Sequence, residues 1–219
     1  MKYRYLMAMI CWLGLSGCGA VIKGEGSSAT HYYLLTATAT KTTSDGALPR
    51  NRVRLALEPV EIPNYLSRPQ IAYRQGGNRL LLEEFDLWAE DLDQGLARVM
   101  VENLSRLTGS DQVWRLPAHQ PKRADYRLWV QFVRFEMDTD GRAALTARWR
   151  LRTQDGRETE NVADMLGDRV DIQNTESYIA ALSHLLESLC RQIAEKMPPT
   201  VLASERSEFG KGGGGTRSQ

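Results

Sequence analysis

Hydrophobic positions recur with two periods along this chain, and the switch between them separates strands from helices. Residues 32–35 form a short apolar run, and Val53, Leu55 and Leu57 alternate with polar or small residues up to Pro59. Both patterns predict strands. Segments 70–74 and 79–83 flank Gln75-Gly76-Gly77-Asn78, a turn sequence that predicts a hairpin. From residue 85 to residue 107 the period becomes helical, because Ala89, Leu92, Leu96, Val99, Leu104 and Leu107 share a face and Gly109 can cap the end. Residues 112–116 read as another short strand, with Pro117 and Pro121 marking the loop behind it. Tyr126, Leu128, Val130 and Phe132 alternate, as do Leu145, Ala147, Trp149 and Leu151, which predicts a long antiparallel pair about a turn at 138–141. A weaker strand ends near Val170. Ile179, Leu182, Leu186, Leu189, Ile193 and Met197 then trace a second amphipathic helix, stopped by Pro198 and Pro199.

Two helices that each bury one stripe, together with a mixed sheet of about five to seven strands, combine best as helices packed on the sheet. The expected fold is therefore a single α/β (α+β) domain, with no internal repeat of fixed period.

The two ends of the chain do not share these patterns. Lys2 and Arg4 precede an apolar segment at 6–15, which is too short to span a bilayer and has the length of a signal-peptide core. It runs into Leu15-Ser16-Gly17-Cys18, where two small residues before a cysteine suit a lipoprotein signal peptidase. This predicts export, cleavage before Cys18 and acylation of its thiol. The expected organisation is a signal peptide at 1–17, a lipidated flexible tether at 18–30, a folded domain at 31–200 and a disordered polar tail at 201–219. Residues 19–30, fully extended, would reach about 40 Å. Gly19 follows the cysteine where aspartate would signal retention in the inner membrane, so the outer membrane, on its periplasmic face, is the expected location.

Charge and cysteine content narrow the chemistry. Removing Lys2 and Arg4 from 28 basic and 27 acidic side chains leaves a nearly neutral protein, which gives no reason to expect a nucleic-acid partner. Cys11 leaves with the signal and Cys18 would be acylated, so Cys190 stands alone on an apolar helix face and reads as a small hydrophobe. His31, His119 and His184 have no metal-ligand spacing, and no nucleophile elbow or His-Glu-x-x-His pair occurs. The expected cofactor content is none, apart from the covalent diacylglycerol and N-acyl chain on Cys18. Glu83, Glu84, Asp86, Glu90, Asp91 and Asp93 bracket the expected start of the first helix, where the helix dipole favours negative charge, a reading preferred to a calcium or acid/base site. Arg148, Arg150 and Arg152 share one face of a strand, with Arg127 and Arg134 on its neighbour, and read as a solvated sheet surface or a contact for acidic headgroups or a partner.

The stretch 61–74 is less ordinary, since Ile62, Pro63, Tyr65, Leu66, Pro69, Ile71 and Tyr73 combine apolar side chains with prolines that interrupt strand pairing. Tyr65 and Leu66 could equally face a partner or tuck under the domain edge. The sequence Pro59-Val60-Glu61-Ile62-Pro63-Asn64-Tyr65-Leu66-Ser67-Arg68-Pro69-Gln70-Ile71 resembles the signature of the ABC-type transport auxiliary lipoproteins, the PqiC-like family. Trp88-Ala89-Glu90, Asn103-Leu104-Ser105 and the strand residues around Tyr126 and Trp149 are similar to further family segments, so the likeness covers about residues 31–197. Asp91 departs from the pattern, where proline would be expected. The resemblance implies a non-enzymatic lipoprotein working with an MCE-domain protein of an intermembrane lipid transport system. Tyr65, Leu66, Arg68, Pro69 and Gln70 become the candidate contact to a partner or to another subunit of a homo-oligomer. A tethered regulator of a cell-wall synthase is the alternative, and an envelope hydrolase a third reading that lacks a recognisable nucleophile.

Overall fold

The computed structural model describes residues 29–40, 53–117, 123–138, 140–170 and 174–197. The signal peptide, Cys18, most of the tether, Pro198, Pro199 and the tail lie outside the described residues. Along the chain the elements are β1 (His31–Tyr33), β2 (Leu55–Leu57), a 3₁₀ turn (Asn64–Leu66), β3 (Gln70–Arg74), β4 (Leu80–Trp88), α1 (Leu92–Thr108), β5 (Val113–Arg115), β6 (Tyr126–Met137), β7 (Arg142–Thr153), β8 (Glu158–Arg169) and α2 (Thr175–Glu195). The eight strands form one mixed sheet, one strand more than the expected upper number, and the two helices pack on it, giving the α+β domain that the periodicities imply.

Long antiparallel ladders join β6, β7 and β8. Along its other side β6 is lined by one interrupted parallel track. Leu57 pairs with Leu128, Glu61 with Gln131 and Tyr73 with Met137, so β2, the segment after it and β3 follow one another along a single edge. β5 extends the sheet from β2, while β4 and then β1 extend it from β3.

Alternation in β6 places Leu128, Val130 and Phe132 against the helices. A bulge then inserts Val133, so that Phe132 pairs with Ala147 and Arg134 with Thr146. The extra residue reverses the phase. Phe135 and Met137 take over the inward positions, and Arg134 and Glu136 turn to the far face of the sheet. Opposite them Leu145, Ala147, Trp149 and Leu151 of β7 face the core, which Leu96, Val99, Met100 and Leu104 of α1 and Leu182, Leu186, Leu189 and Ile193 of α2 complete. Gly109 ends α1 in the left-handed region at φ 64°, with its N–H bonded to the Ser105 carbonyl. Cys190 lies fully buried among these helices as a free thiol, held protonated by burial and aided by nearby Glu187.

Two expectations need correction. The helical pattern starts later than residue 85, because β4 runs on through Trp88 and α1 begins at Leu92. Pairing of Asp86, Leu87 and Trp88 with β1 fixes those residues as strand, an interaction from another part of the chain that a local period cannot reveal. The acidic cluster is therefore divided. Glu83, Glu84 and Asp86 belong to β4, and Asp91 is the residue just before α1, making no side-chain capping bond. Asp86 instead accepts a hydrogen bond from the Thr175 hydroxyl at 2.6 Å and lies 3.2 Å from His31 Nδ1, tying β4 to β1 and to the first turn of α2. Tyr73 extends this junction through its hydroxyl to Thr175 at 3.2 Å and through its ring to Tyr178 at 4.9 Å. Burial pushes the Tyr73 hydroxyl up to about 12.

The start of the β2 track is held by a charge pair. Arg54 gives its N–H to Asp125 at 3.0 Å and its guanidinium to the same carboxylate at 2.5 Å, while its carbonyl accepts from the N–H of Asp125 and of Tyr126. Burial pushes the Asp125 carboxyl up, but the bonds from Arg54 outweigh it and leave the group below the usual aspartate range. A lowered native value means that the pair stabilises the fold above the unfolded value of about 4, and that this contribution disappears as pH falls through the native one. Asp125→Asn is expected to cost about 1 kcal/mol at pH 6, with the gap to the unmodified protein closing as pH falls through the lowered native value. Urea midpoints measured across that range check it; a gap independent of pH would refute it.

Candidate functional site: a ridge between two grooves

The segment joining β2 to β3 is built by its prolines. Pro63 and Pro69 carry no N–H, so the chain leaves the ladder after Glu61 and returns to regular pairing only in β3. Before leaving, Glu61 donates its N–H to Val130 O at 3.1 Å and accepts from Phe132 N at 2.8 Å. Its carboxylate holds Trp129 Nε1 at 2.9 Å and Gln131 Nε2 at 3.0 Å. Bonds from Leu66 N to Pro63 O and from Ser67 N to Asn64 O then close the 3₁₀ turn.

That turn points its neighbouring side chains in opposite senses. Leu66 is 4 % exposed and belongs to the core. Tyr65 is half-buried and gives its hydroxyl proton to Glu136 at 2.7 Å. Glu136 is fully buried, and it also receives Arg74 Nε at 2.8 Å, Arg134 Nε at 3.0 Å and the Phe135 N–H at 3.2 Å. Burial, with Glu136 beside it, pushes the Tyr65 hydroxyl far up, so it stays a hydrogen-bond donor at every physiological pH. Ser67, Arg68 and Pro69 stand exposed, Gln70 is half-buried at the start of β3, and Trp88 N bonds back to the Pro69 carbonyl at 2.7 Å.

This arrangement corrects part of the expected contact set. Leu66 cannot be a surface contact, because a 3₁₀ turn directs successive side chains about 120° apart and position 66 faces inward. Tyr65 positions the turn more than it presents itself. Arg68 and Pro69 remain as the exposed crest, with Gln70 beside them.

The crest separates two grooves. One, of about 580 Å³, runs between Arg68 and Pro69 and the junction of β4 with α1; Val60, Ile62, Trp88 and Leu92 line it apolarly and Asp91 and Asp93 stand at its border. It joins the two most distinctive segments of the sequence, 59–71 and 88–90, which are distant along the chain. The other, of about 470 Å³, lies on the far face of the sheet between Pro63 and Tyr65 and the strand residues Gln131, Val133 and Arg148. Sequence reasoning missed Glu136 and Val133. The signal for both was available, since the alternation in β6 breaks at Arg134-Phe135.

The arginine face is largely occupied by its own sheet. Arg152 binds Glu158 at 2.5 Å, Arg150 lies 3.9 Å from Glu158 and from Glu160, and the Arg150 guanidinium sits 5.2 Å from the centre of the Trp129 ring. Among the described residues no group of three or more His, Cys, Asp or Glu side chains could hold a metal ion. The groove walls carry an apolar floor with a charged border, chemistry suited to recognising a surface or a segment of a partner.

Residues 33–194 match the family model described as an ABC-type transport auxiliary lipoprotein component. Intermembrane transport lipoprotein PqiC of Escherichia coli (strain K12) is 30% identical over 149 residues, which cover 68% of this chain and 74% of that protein. PqiC of Shigella flexneri matches with the same values. Among solved structures, a protein from Xanthomonas campestris shares the fold with a TM-score of 0.58 at 20% identity, over 75% of this chain and 93% of that one. An uncharacterised protein does so with a TM-score of 0.58 at 22% identity, over 76% and 97%.

Proposed function

This chain belongs to the family of ABC-type transport auxiliary lipoprotein components, and on that footing we propose that it is a non-enzymatic adaptor of an intermembrane lipid transport system. In this reading acylated Cys18 holds it to the periplasmic face of the outer membrane, and the crest at Arg68 and Pro69 docks on an MCE-domain protein. The name of the Escherichia coli relative, an intermembrane transport lipoprotein, supports the transport role. The observation that carries the docking site is the fixing of an exposed crest by side-chain bonds on both flanks, through exposed Glu61 and buried Glu136, between two grooves. Such bonds cost conformational freedom, and at Glu136 desolvation, that a passive loop would not require.

A photocrosslinking residue placed at position 68 in the intact envelope tests the reading. An MCE-domain protein is the expected adduct; a cell-wall synthase in its place would replace transport by synthase regulation. Arg68→Glu with Pro69→Asp should lower recovery of that partner at least tenfold, about 1.4 kcal/mol, and leave the thermal midpoint where it was. Leu66→Asp should instead lower folding stability by about 3 kcal/mol, because it buries a carboxylate in the core.

A further inference from the structure

Eight large hydrophobic side chains stand exposed among the described residues, and five of them lie on one edge of the sheet or directly beside it. Tyr32 is 66 % exposed, Leu34 48 %, Leu81 44 %, Phe85 40 % and Leu82 37 %. Tyr32 belongs to β1 and Leu34 follows it, while the other three belong to β4, whose residues 86–88 pair with β1. Among the described residues, Leu80, Leu81 and Leu82 pair only with β3 and positions 83–85 lie in a break of that ladder, so the side of this stretch away from β3 is a free edge. Concentrations of apolar side chains of this kind mark contact surfaces.

We propose that this β1–β4 edge rests against the lipid surface, seating the domain on the membrane that its tether enters. The inference rests on the reading of Cys18 as the acylated residue. His31 opens β1 only thirteen positions after Cys18, so a tether of at most about 40 Å joins this edge to the acylated residue. Tyr32 and Phe85 are residue types that favour the water–lipid boundary, and Leu81 and Leu82 add apolar area that can enter it. The unpaired backbone groups of residues 80–85 need water or headgroups as partners, which limits the seat to a shallow one at headgroup depth.

A strand from another protein is the competing occupant, and β4 is poorly shaped for it. Between Ala72 and Gln70 the register on β4 jumps from Leu82 to Leu87, so an irregular stretch containing Glu83 and Glu84 interrupts the ladder. A bulge and charges are devices that disfavour pairing with a further strand. The same glutamates give the edge no attraction for anionic lipid, so seating should follow apolar contact and tethering, not headgroup charge.

The full acylated chain is reconstituted into vesicles of phosphatidylethanolamine and phosphatidylcholine containing a trace of phosphatidylcholine with a diazirine close to its headgroup. After irradiation, peptides covering residues 30–34 and 80–88 should carry at least about fivefold more lipid adduct than peptides from β8, the opposite edge, and anionic phosphatidylglycerol should not raise the yield more than about twofold. Leu82→Ser with Phe85→Ser should reduce labelling to the β8 level while the circular dichroism spectrum stays that of the folded domain, since both side chains are more than a third exposed. Equal labelling of the two edges, or crosslinks from β4 to another protein chain in place of lipid, would overturn the proposal. The mass of the N-terminal peptide reports acylation separately. An unacylated chain that still labels at β4 would refute the anchor and keep the edge, whereas an unacylated chain without β4 adducts would refute both.

Discussion

Glu136→Ala is expected to lower the free energy of unfolding by about 3 kcal/mol, the largest loss anticipated from any single surface-directed polar group in the domain. The side chain is fully buried and holds Tyr65, Arg74, Arg134 and the Phe135 N–H at once. Removing it leaves two guanidiniums, each about a quarter exposed, facing one another without a counter-charge, and a phenol without its acceptor. Hydration of the arginines from their open side offsets part of this, which is why the figure sits at the lower end for broken buried pairs. Glu136→Gln should lose less, because the amide oxygen can still accept from one arginine. Urea denaturation with an unchanged slope measures both. A midpoint for Glu136→Ala equal to that of the unmodified protein would show that the clamp contributes nothing to folding.

The same substitution has a local consequence. β3 meets β6 through a single registered pair, Tyr73 with Met137, so the junction depends on side chains. On the helix side the Tyr178 hydroxyl accepts from Met137 N at 2.8 Å and donates to Ala72 O at 3.3 Å. On the far side, among the described residues, the Glu136 cluster closes it. Loss of that cluster should therefore release the 3₁₀ turn first, seen as faster hydrogen exchange at the Leu66 and Ser67 amides than in β7.

How much of this was readable in the sequence depended on whether the determining contacts are local. The helices α1 and α2 and the β6–β7 pair follow from periods that hold for three turns or more, because burial of one stripe or one face imposes them directly. The β3–β4 hairpin follows from its Gly-Gly turn. By contrast, β4 continues through Trp88 because β1, more than fifty residues earlier, pairs with it, and the helical spacing of Ala89 with Leu92 and Leu96 hid that extension. The contact segment was recognisable as a unit but not resolvable into roles. Adjacent Tyr65 and Leu66 are both large and apolar, and only the turn geometry sends one to Glu136 and the other to the core. By the alternation of Tyr126, Leu128, Val130 and Phe132 alone Glu136 would face the helices, and only the bulge at Val133 turns it to the far face of the sheet.

The second large effect concerns the anchor. Cys18→Ala is expected to abolish acylation, and with it cleavage at that site, and to remove the protein from the outer-membrane fraction almost completely. One acyl chain contributes about 0.8 kcal/mol per buried CH₂ and alone gives only reversible attachment, whereas the two or three chains of a lipoprotein act together and hold nearly permanently. Among the described residues no helix is long and apolar enough to cross a membrane. Five exposed hydrophobics along β1 and β4 could orient a tethered domain, but shallow side-chain contact of that size exchanges readily once the tether is gone. Fractionation after Cys18→Ala, with incorporation of labelled palmitate as the second readout, separates the two contributions. Full retention of the variant in the outer-membrane fraction, or absence of palmitate from the unmodified protein, would remove Cys18 as the membrane attachment.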